Sequence, residues 1–389
     1  MERLERGNKI SSTEKDSRIN KVKDTMENKK LGIITFSNGY NYGAILQAFA
    51  LHDFFKDASC DPVIVDYKSE RFKNRYKISV FSLNLKRLFI NLYLLPAELK
   101  KRIKIDAFRK EHLRIEEFNR VVDTQELYHL FVTGSDQVWN PEITGMDDNF
   151  LLSWVTDNHK KASYAASIGT DQLKDNEEQV LKDYLSSFDR NNILVREDGA
   201  QKIVQQLTGY DTTVVCDPTL LLSSDKWKAL ASKINSKGYV LVYLFRTTKE
   251  KESRIIELAN SKGLDIKWIR NPLRKNERID YVNGLGIEEW LGYFLNANYV
   301  VTDSYHGMMF SLIFNKNFTV LSLGEDKSND RFTTVLRRLD LMGRMNMDCD
   351  EWDTADIDYS AVKKKIDAFV SASKQSIMNI INGSGNACL

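Results

Sequence analysis

Residues 299–323, "YVVTDSYHGMMFSLIFNKNFTVLSL", decide the fold. The stretch opens on a short apolar run, breaks at a polar knot, continues apolar for the length of a helix and closes on a second apolar run. Runs that are apolar throughout, rather than alternating, belong to strands covered on both faces, the pattern of a parallel sheet. Strand, helix and strand in succession make a βαβ unit. The knot, Thr302-Asp303-Ser304-Tyr305-His306-Gly307, falls where the strand's carboxyl end meets the start of the helix.

The same grammar extends outward. "LGIITF" (31–36) leads into "NYGAILQAFALHDFFK" (41–56) and "PVIVDY" (62–67), and "LFVTGS" (130–135), "KASYAAS" (161–167), "NILVRE" (192–197) and "TTVVCD" (212–217) follow. A second series begins at "GYVLVYLF" (238–245), with a helix over 249–263 that Gly263 ends as a C-cap. "DIKWIR" (265–270) comes next, then a helix over 286–297 whose Ile287, Trp290, Leu291, Phe294 and Leu295 share one face. The predicted class is α/β, with two doubly wound domains facing each other across a cleft. The expected divisions are a disordered or helical tail over 1–30, an N-terminal domain over 31–222, a C-terminal domain over 223–345 and a helical tail over 346–389. No sequence repeat relates the two series.

Composition sets bounds. The 389 residues carry a formal net charge of +2, which gives no global pull toward nucleic acid. Cys60, Cys216, Cys349 and Cys388 are far apart and form no metal-ligand spacing, so reduced thiols in the cytoplasm and no metal site are expected. The first thirty residues lack the apolar core of a signal peptide, and no run is long enough to cross a bilayer. Charge is uneven, however: residues 71–105 hold ten Lys/Arg against the single acid Glu98, interleaved with "LFINLYLL". Such a stretch either lies on an anionic membrane surface or forms a solvated helical insertion.

In open parallel sheets ligands bind just beyond the carboxyl ends of the strands, so the residues there are the candidates. "SNGYNYG" (37–43), with Asn38, Asn41, Tyr42 and Gly43, either offers backbone N–H groups to an anion or forms a plain tight turn. It matches neither dinucleotide nor P-loop glycine patterns. "GSDQVWNPE" (134–142) gathers Ser135, Asp136, Gln137, Trp139 and Asn140, with Trp139 able to stack on a sugar or to fill the core. Arg196 and Arg246 each end a strand, one in each domain, and together suit an anion clamp. Asp217 reads as a turn cap or a brace for the domain linker. In the knot, Asp303 or Ser304 caps a helix whose positive end faces the cleft. Gly307 there leaves its N–H groups open to a phosphate or carboxylate. His306 can donate a proton into the same space, whereas His52, His112, His129 and His159 have no such setting. The alternative is a capping motif whose histidine is idle.

"NYGAILQAFAL", "GSDQVWNP", "ASYAASIG", "VRE", "DPTLLL" and above all "VVTDSYHGMMFSLIFNKNF" resemble, in order and spacing from about Leu31 to Leu341, the polysaccharide pyruvyl transferase family. The resemblance implies two Rossmann-like domains in a GT-B-like arrangement. It also implies transfer of the pyruvyl skeleton of phosphoenolpyruvate to two sugar hydroxyls as a ketal, with no cofactor beyond that donor. Under it, His306 is the general acid and Arg196, Arg246 and Arg331 hold the donor's anions. Ser135, Asp136, Gln137, Trp139, Asn38, Asn41, Tyr42 and Gly43 orient donor or sugar, and Ser304, Tyr305 and Gly307 complete the His-Gly motif. Some members carry Arg where this chain has Ser304, so a cation here must come from elsewhere. The implied acceptor is a saccharide or lipid-linked oligosaccharide of surface or exopolysaccharide biosynthesis, met in the cytoplasm at the inner membrane face through residues 71–105. Two other readings share the fold: a glycosyltransferase using a nucleotide sugar, and a carbohydrate-binding protein without activity.

Overall fold

A computed structural model describes residues 29–75, 85–236, 238–270, 272–273, 275–322, 329–346 and 352–383. The expected N-terminal tail up to residue 28, Cys349, Cys388 and residues 76–84 of the basic stretch lie outside the described residues.

The first apolar runs become β1 (Lys30–Ile34), β2 (Asp61–Asp66), β3 (Ile115–Glu117), β4 (Leu130–Thr133) and β5 (Lys161–Ser163), all parallel in the order β3-β2-β1-β4-β5. Asp136 and Val195 both bridge to Ala166, linking this sheet to the parallel pair β6 (Leu194–Val195) and β7 (Thr213–Val214). The second sheet holds β8 (Tyr239–Tyr243), β9 (Asp265–Ile269), β10 (Asp280–Val282), β11 (Tyr299–Thr302), β12 (Asn317–Leu321) and β13 (Met345–Asn346). Its order is β10-β9-β8-β11-β12-β13, again all parallel. That succession is the Rossmann order, and it confirms the expected α/β class.

Both sheets are covered on two faces, which is why β4, β8 and β11 are buried at every position. Helix α1 (Tyr42–Asp57) starts where the Asn41 side chain accepts the Ala44 N–H. It is buried around most of its circumference, packing against residues of both domains within one continuous core. Helix α2 (Leu85–His112) is the body of the basic insertion. It bridges the domains: Lys104 Nζ bonds both carboxylate oxygens of Glu289, and the Tyr93 hydroxyl donates to Pro272 O at 3.1 Å. The helices that matter next are α3 (Asp198–Thr208), α4 (Ile287–Asn296), α5 (Tyr305–Ile313) and α6 (Asp330–Arg338). The last helix, α7 (Tyr359–Ile381), returns to the first domain. There Ile377 and Ile381 join the common core, the Cys216 N–H donates to Ser373 Oγ at 2.9 Å and Lys29 Nζ donates to Ile381 O at 2.8 Å. Cys60 and Cys216 are free and buried, and burial pushes both thiols up to about 11, so neither is a reactive thiolate.

Candidate active site

In each sheet the strand order reverses beside the first strand, between β1 and β4 and between β8 and β11. A crevice opens beyond the strand ends at such a reversal. The residues there are 35–43, 134–140, 244–246 and the knot 302–307.

The knot organises its own turn first. Thr302 Oγ1 donates to Tyr243 O at 2.8 Å, and the Asp303 carboxylate accepts the N–H groups of Phe245 and Arg246 at 2.8 and 3.0 Å. The ends of β8 and β11 are thereby tied together. Ser304 is the N-cap of α5, its Oγ accepting the Gly307 N–H at 3.3 Å. This corrects one expectation: the Gly307 N–H is taken by Ser304 rather than offered to a ligand. Gly307 is needed instead because any Cβ there would overlap Thr302.

With its turn closed, α5 aims Tyr305 and His306 across the seam at the other domain. There Arg196, 1 % exposed, sits among three carboxylates: Asp217 at 3.2 Å, Asp136 at 3.6 Å and Glu197 at 3.8 Å. Its guanidinium lies 4.6 Å from the centroid of the Tyr305 ring. Asp217 Oδ1 accepts the N–H and hydroxyl of Thr219, while Oδ2 faces both Arg196 and, at 3.6 Å, His306 Nε2. Burial would raise the Asp217 carboxyl, but His306 and Arg196 outweigh it and hold it well below the usual carboxylate range. Glu197 Oε1 accepts from Ser167 Oγ, Ile168 N and Gly169 N at 2.8 to 3.1 Å. Its Oε2 has no hydrogen-bond partner, and burial lifts the carboxyl above its ordinary value, Arg196 offsetting part of the rise.

A second cation arrives from the far domain. The amino end of α6 docks on that of α3. Gly199 N–H donates to Asp330 at 2.5 Å, Asp198 N–H donates to Thr334 Oγ1 at 3.0 Å, and Asp198 pairs with Arg337 and Arg338 at 3.1 and 2.7 Å. This clasp sets the Arg331 guanidinium 5.8 Å from the Tyr305 ring centroid. Burial first, then the charge of Arg196, pushes Arg331 below its ordinary value. Two guanidinium groups therefore converge on one tyrosine. Arg196 Nε and Nη2, Arg331 Nε, His306 Nε2 and Tyr305 Oη are all buried without a hydrogen-bond partner. An anion with several oxygens satisfies such a set, because charged hydrogen bonds to guanidinium offset the desolvation already imposed.

The remaining candidates divide. Gly43 touches the site directly, since a Cβ there would overlap the His306 imidazole. Asp136 pairs with Arg196, and Ser135 Oγ donates to Ala165 O at 3.0 Å, with Asp217 Oδ2 at 3.5 Å. Trp139 is 1 % exposed, its indole N–H bonded to Phe150 O, so its ring serves the core and presents no face to a sugar. Gln137 accepts from Asn140, Asn38 donates to Tyr67 O, and Asn41 is spent on capping α1. Tyr42 is buried, stacked on Trp290 at 5.6 Å and bonded to Leu285 O, so it joins the domains. Arg246 is exposed, and its backbone rather than its side chain is what Asp303 holds. The partner of Arg196 across the seam is accordingly Arg331. Asp217 was legible only as a turn cap or a brace for the domain linker, and Glu197 not as a site residue at all, although both follow strands, β7 and β6, at the carboxyl edge. Among the described residues no group of three or more His, Cys, Asp or Glu is placed to hold a metal ion.

Two Rossmann-like parallel sheets, meeting at a buried seam of two guanidinium groups, three carboxylates and a histidine, define a two-domain α/β protein. The chain belongs to the polysaccharide pyruvyl transferase family, whose model matches residues 41–325. No curated protein sequence matches it. Among solved structures it is similar to the UDP-GlcNAc 2-epimerase of Methanocaldococcus jannaschii, with 12% identity, 88% of this chain and 92% of that one covered, and a TM-score of 0.46. It is also similar to Arabidopsis thaliana UGT89C1 complexed with UDP-L-rhamnose, with 11% identity, 92% and 99% covered, and a TM-score of 0.46.

Proposed function

We propose that the seam binds phosphoenolpyruvate and that the protein transfers its pyruvyl group to two hydroxyls of a saccharide as a ketal, releasing phosphate. The observation that carries this reading is the set of buried, unpartnered polar atoms on Arg196, Arg331, His306 and Tyr305. A compact donor with a phosphate and a carboxylate needs converging cations in a dry site, and the pyruvyl transferase family supplies the chemistry.

In this mechanism Arg196 and Arg331 hold the donor's anions, and Asp217, Asp136 and Glu197 fix the Arg196 guanidinium so that no reorganisation is needed during reaction. His306 protonates the methylene carbon, which becomes the methyl group, and positive character develops at the adjacent carbon. A sugar hydroxyl oxygen bonds to that carbon and its proton returns to His306. The bond to phosphate then breaks, the second hydroxyl forms the second C–O bond, and its proton leaves with the phosphate. Asp217 supports the charged imidazole in the first step.

The acceptor is a surface or exopolysaccharide unit, met in the cytoplasm on a lipid carrier. Helix α2 supports this setting: Phe89, Leu92, Pro96, Leu99 and Ile103 recur at steps of three and four along its exposed side, with Phe89 and Ile103 each 69 % exposed. The apolar stripe carries this part of the reading more than charge does, since Lys104 and Arg102 are engaged by Glu289 and Glu98. Among the described residues no helix is long and apolar enough to cross a membrane. Unchanged flotation of Ile103→Glu with anionic vesicles would overturn the membrane contact.

Thermal shift tests the donor. Phosphoenolpyruvate is expected to raise the melting temperature and UDP or GDP is not. The reverse result would make the protein a nucleotide-sugar glycosyltransferase.

A further inference from the structure

A second cleft, of about 300 Å³, lies between α2 and the carboxyl ends of β8, β9 and β10. It adjoins the seam through two short links. Tyr42, on its wall, precedes the glycine on which the His306 ring rests, and Phe245, at its rim, is held by Asp303, three residues before His306.

The lining is unlike that of the seam. Phe245 is 60 % exposed yet fixed, its N–H bound by Asp303 and its ring edge-on to Tyr243 at 5.4 Å. Braced on one side by Tyr243 and otherwise largely exposed, the ring offers a flat platform. Opposite it, Lys101 reaches in from α2 with its ammonium 4.8 Å from the Tyr42 ring centroid. It makes no hydrogen bond or ion pair among the described residues. Burial lowers its pKa, which Glu98 one turn away only partly restores. Arg270 adds a second cation on the β9 side. An aromatic platform with a few convergent polar groups, at the carboxyl edge of a parallel sheet, is how a small polar ligand is held.

We infer that this cleft is the acceptor subsite and that it takes an anionic pyranoside, its ring on Phe245 and its carboxylate or phosphate on Lys101. The inference rests on the donor reading above in one respect only, the naming of its ligand as acceptor. The volume admits a single sugar unit, with the rest of a longer chain leading out along α2.

The test is saturation-transfer NMR with methyl glucoside, methyl glucuronide and glucose 1-phosphate at millimolar concentration, with inorganic phosphate added to fill the Arg196–Arg331 site. The wild type is expected to bind both anionic sugars more tightly than the neutral one. Phe245→Ala, at an exposed position, should weaken all three at least tenfold. Lys101→Gln should erase the preference for the anionic pair, and a wild-type preference much the stronger for one of them identifies the substituent as carboxylate or phosphate. Phosphoenolpyruvate affinity, followed separately by phosphorus NMR, should be unchanged in both variants. No sugar binding to the wild type, or equal binding to the wild type and both variants, would overturn the subsite. Loss of phosphoenolpyruvate binding alone would overturn the donor reading and leave the subsite standing.

Discussion

His52 and His306 are almost equally buried, at 6 % and 7 % exposure, and their surroundings could hardly differ more. His52 lies on α1 in the first domain, where its Nε2 accepts the Arg114 N–H at 3.4 Å. Burial pushes it down to about 4, Asp53 opposing and Lys56 assisting. It is a neutral core histidine. His306 stands on the domain seam with an ionised Asp217 at 3.6 Å, a glycine under its ring and an Nε2 that has no hydrogen-bond partner. Burial is common to both and decides nothing. What separates a site from a core is the charge left facing the group and the polar atoms left without partners.

The largest effect expected from that contrast is kinetic. His306→Gln should lower turnover by about 10²–10⁴-fold, the usual worth of a positioned acid, with little change in melting temperature. His52→Gln should leave turnover unchanged at pH 7. Steady-state phosphate release by the two variants is the comparison to make; similar rates for both would erase the distinction. A second test acts on the floor of the site. Gly43→Ala favours helix at the start of α1, yet its methyl group would collide with the His306 ring. The displaced imidazole is expected to cost about 10²-fold in kcat, with the phosphoenolpyruvate KM changed little. Full activity in this variant would show that the imidazole need not be fixed.

Asp217→Asn is milder, because the amide oxygen can still cap Thr219 while the negative charge beside His306 is gone. Turnover should fall by about tenfold at pH 7. Unchanged turnover in Asp217→Asn would reduce Asp217 to a cap for Thr219.

The same contrast explains what the sequence could tell. Apolar runs marked every long strand, and the strand-end rule led to the His306 knot and to Arg196, because parallel sheets bury both faces and put polar residues only at their ends. The short edge strands β3, β10 and β13 escaped, since "IEE", "DYV" and "MN" carry no apolar run and are stabilised by a neighbour on one side. "GSDQVWN" looked as dense in ligand groups as the knot. Its Trp139, Gln137 and Asn140 nevertheless turn their hydrogen bonds inward, to Phe150 O, to each other and to the Glu142 N–H. Sequence shows that polar groups are present; only packing shows which are already satisfied. Arg331 illustrates the converse. Its place beside Arg196 depends on the clasp between α3 and α6, a contact across more than 130 residues that no local pattern announces.

The smallest effect is thermodynamic and belongs to His52. Its folded-state pKa, about 4, is depressed from an ordinary 6.5, so the folded protein favours the neutral ring and the unfolded chain takes up the proton first. Stability from this residue is therefore complete above about pH 6.5 and is lost as pH falls toward 4. By linkage the loss between pH 7 and pH 6 is about 0.7 kcal/mol. His52→Gln, whose side-chain oxygen can still accept the Arg114 N–H, should flatten the slope of unfolding free energy over that interval by the same amount. Denaturant melts of the wild type and His52→Gln at the two pH values measure the difference. An unchanged slope in His52→Gln would place the His52 proton in the folded state after all, and with it a charge in a core that has no partner to hold one.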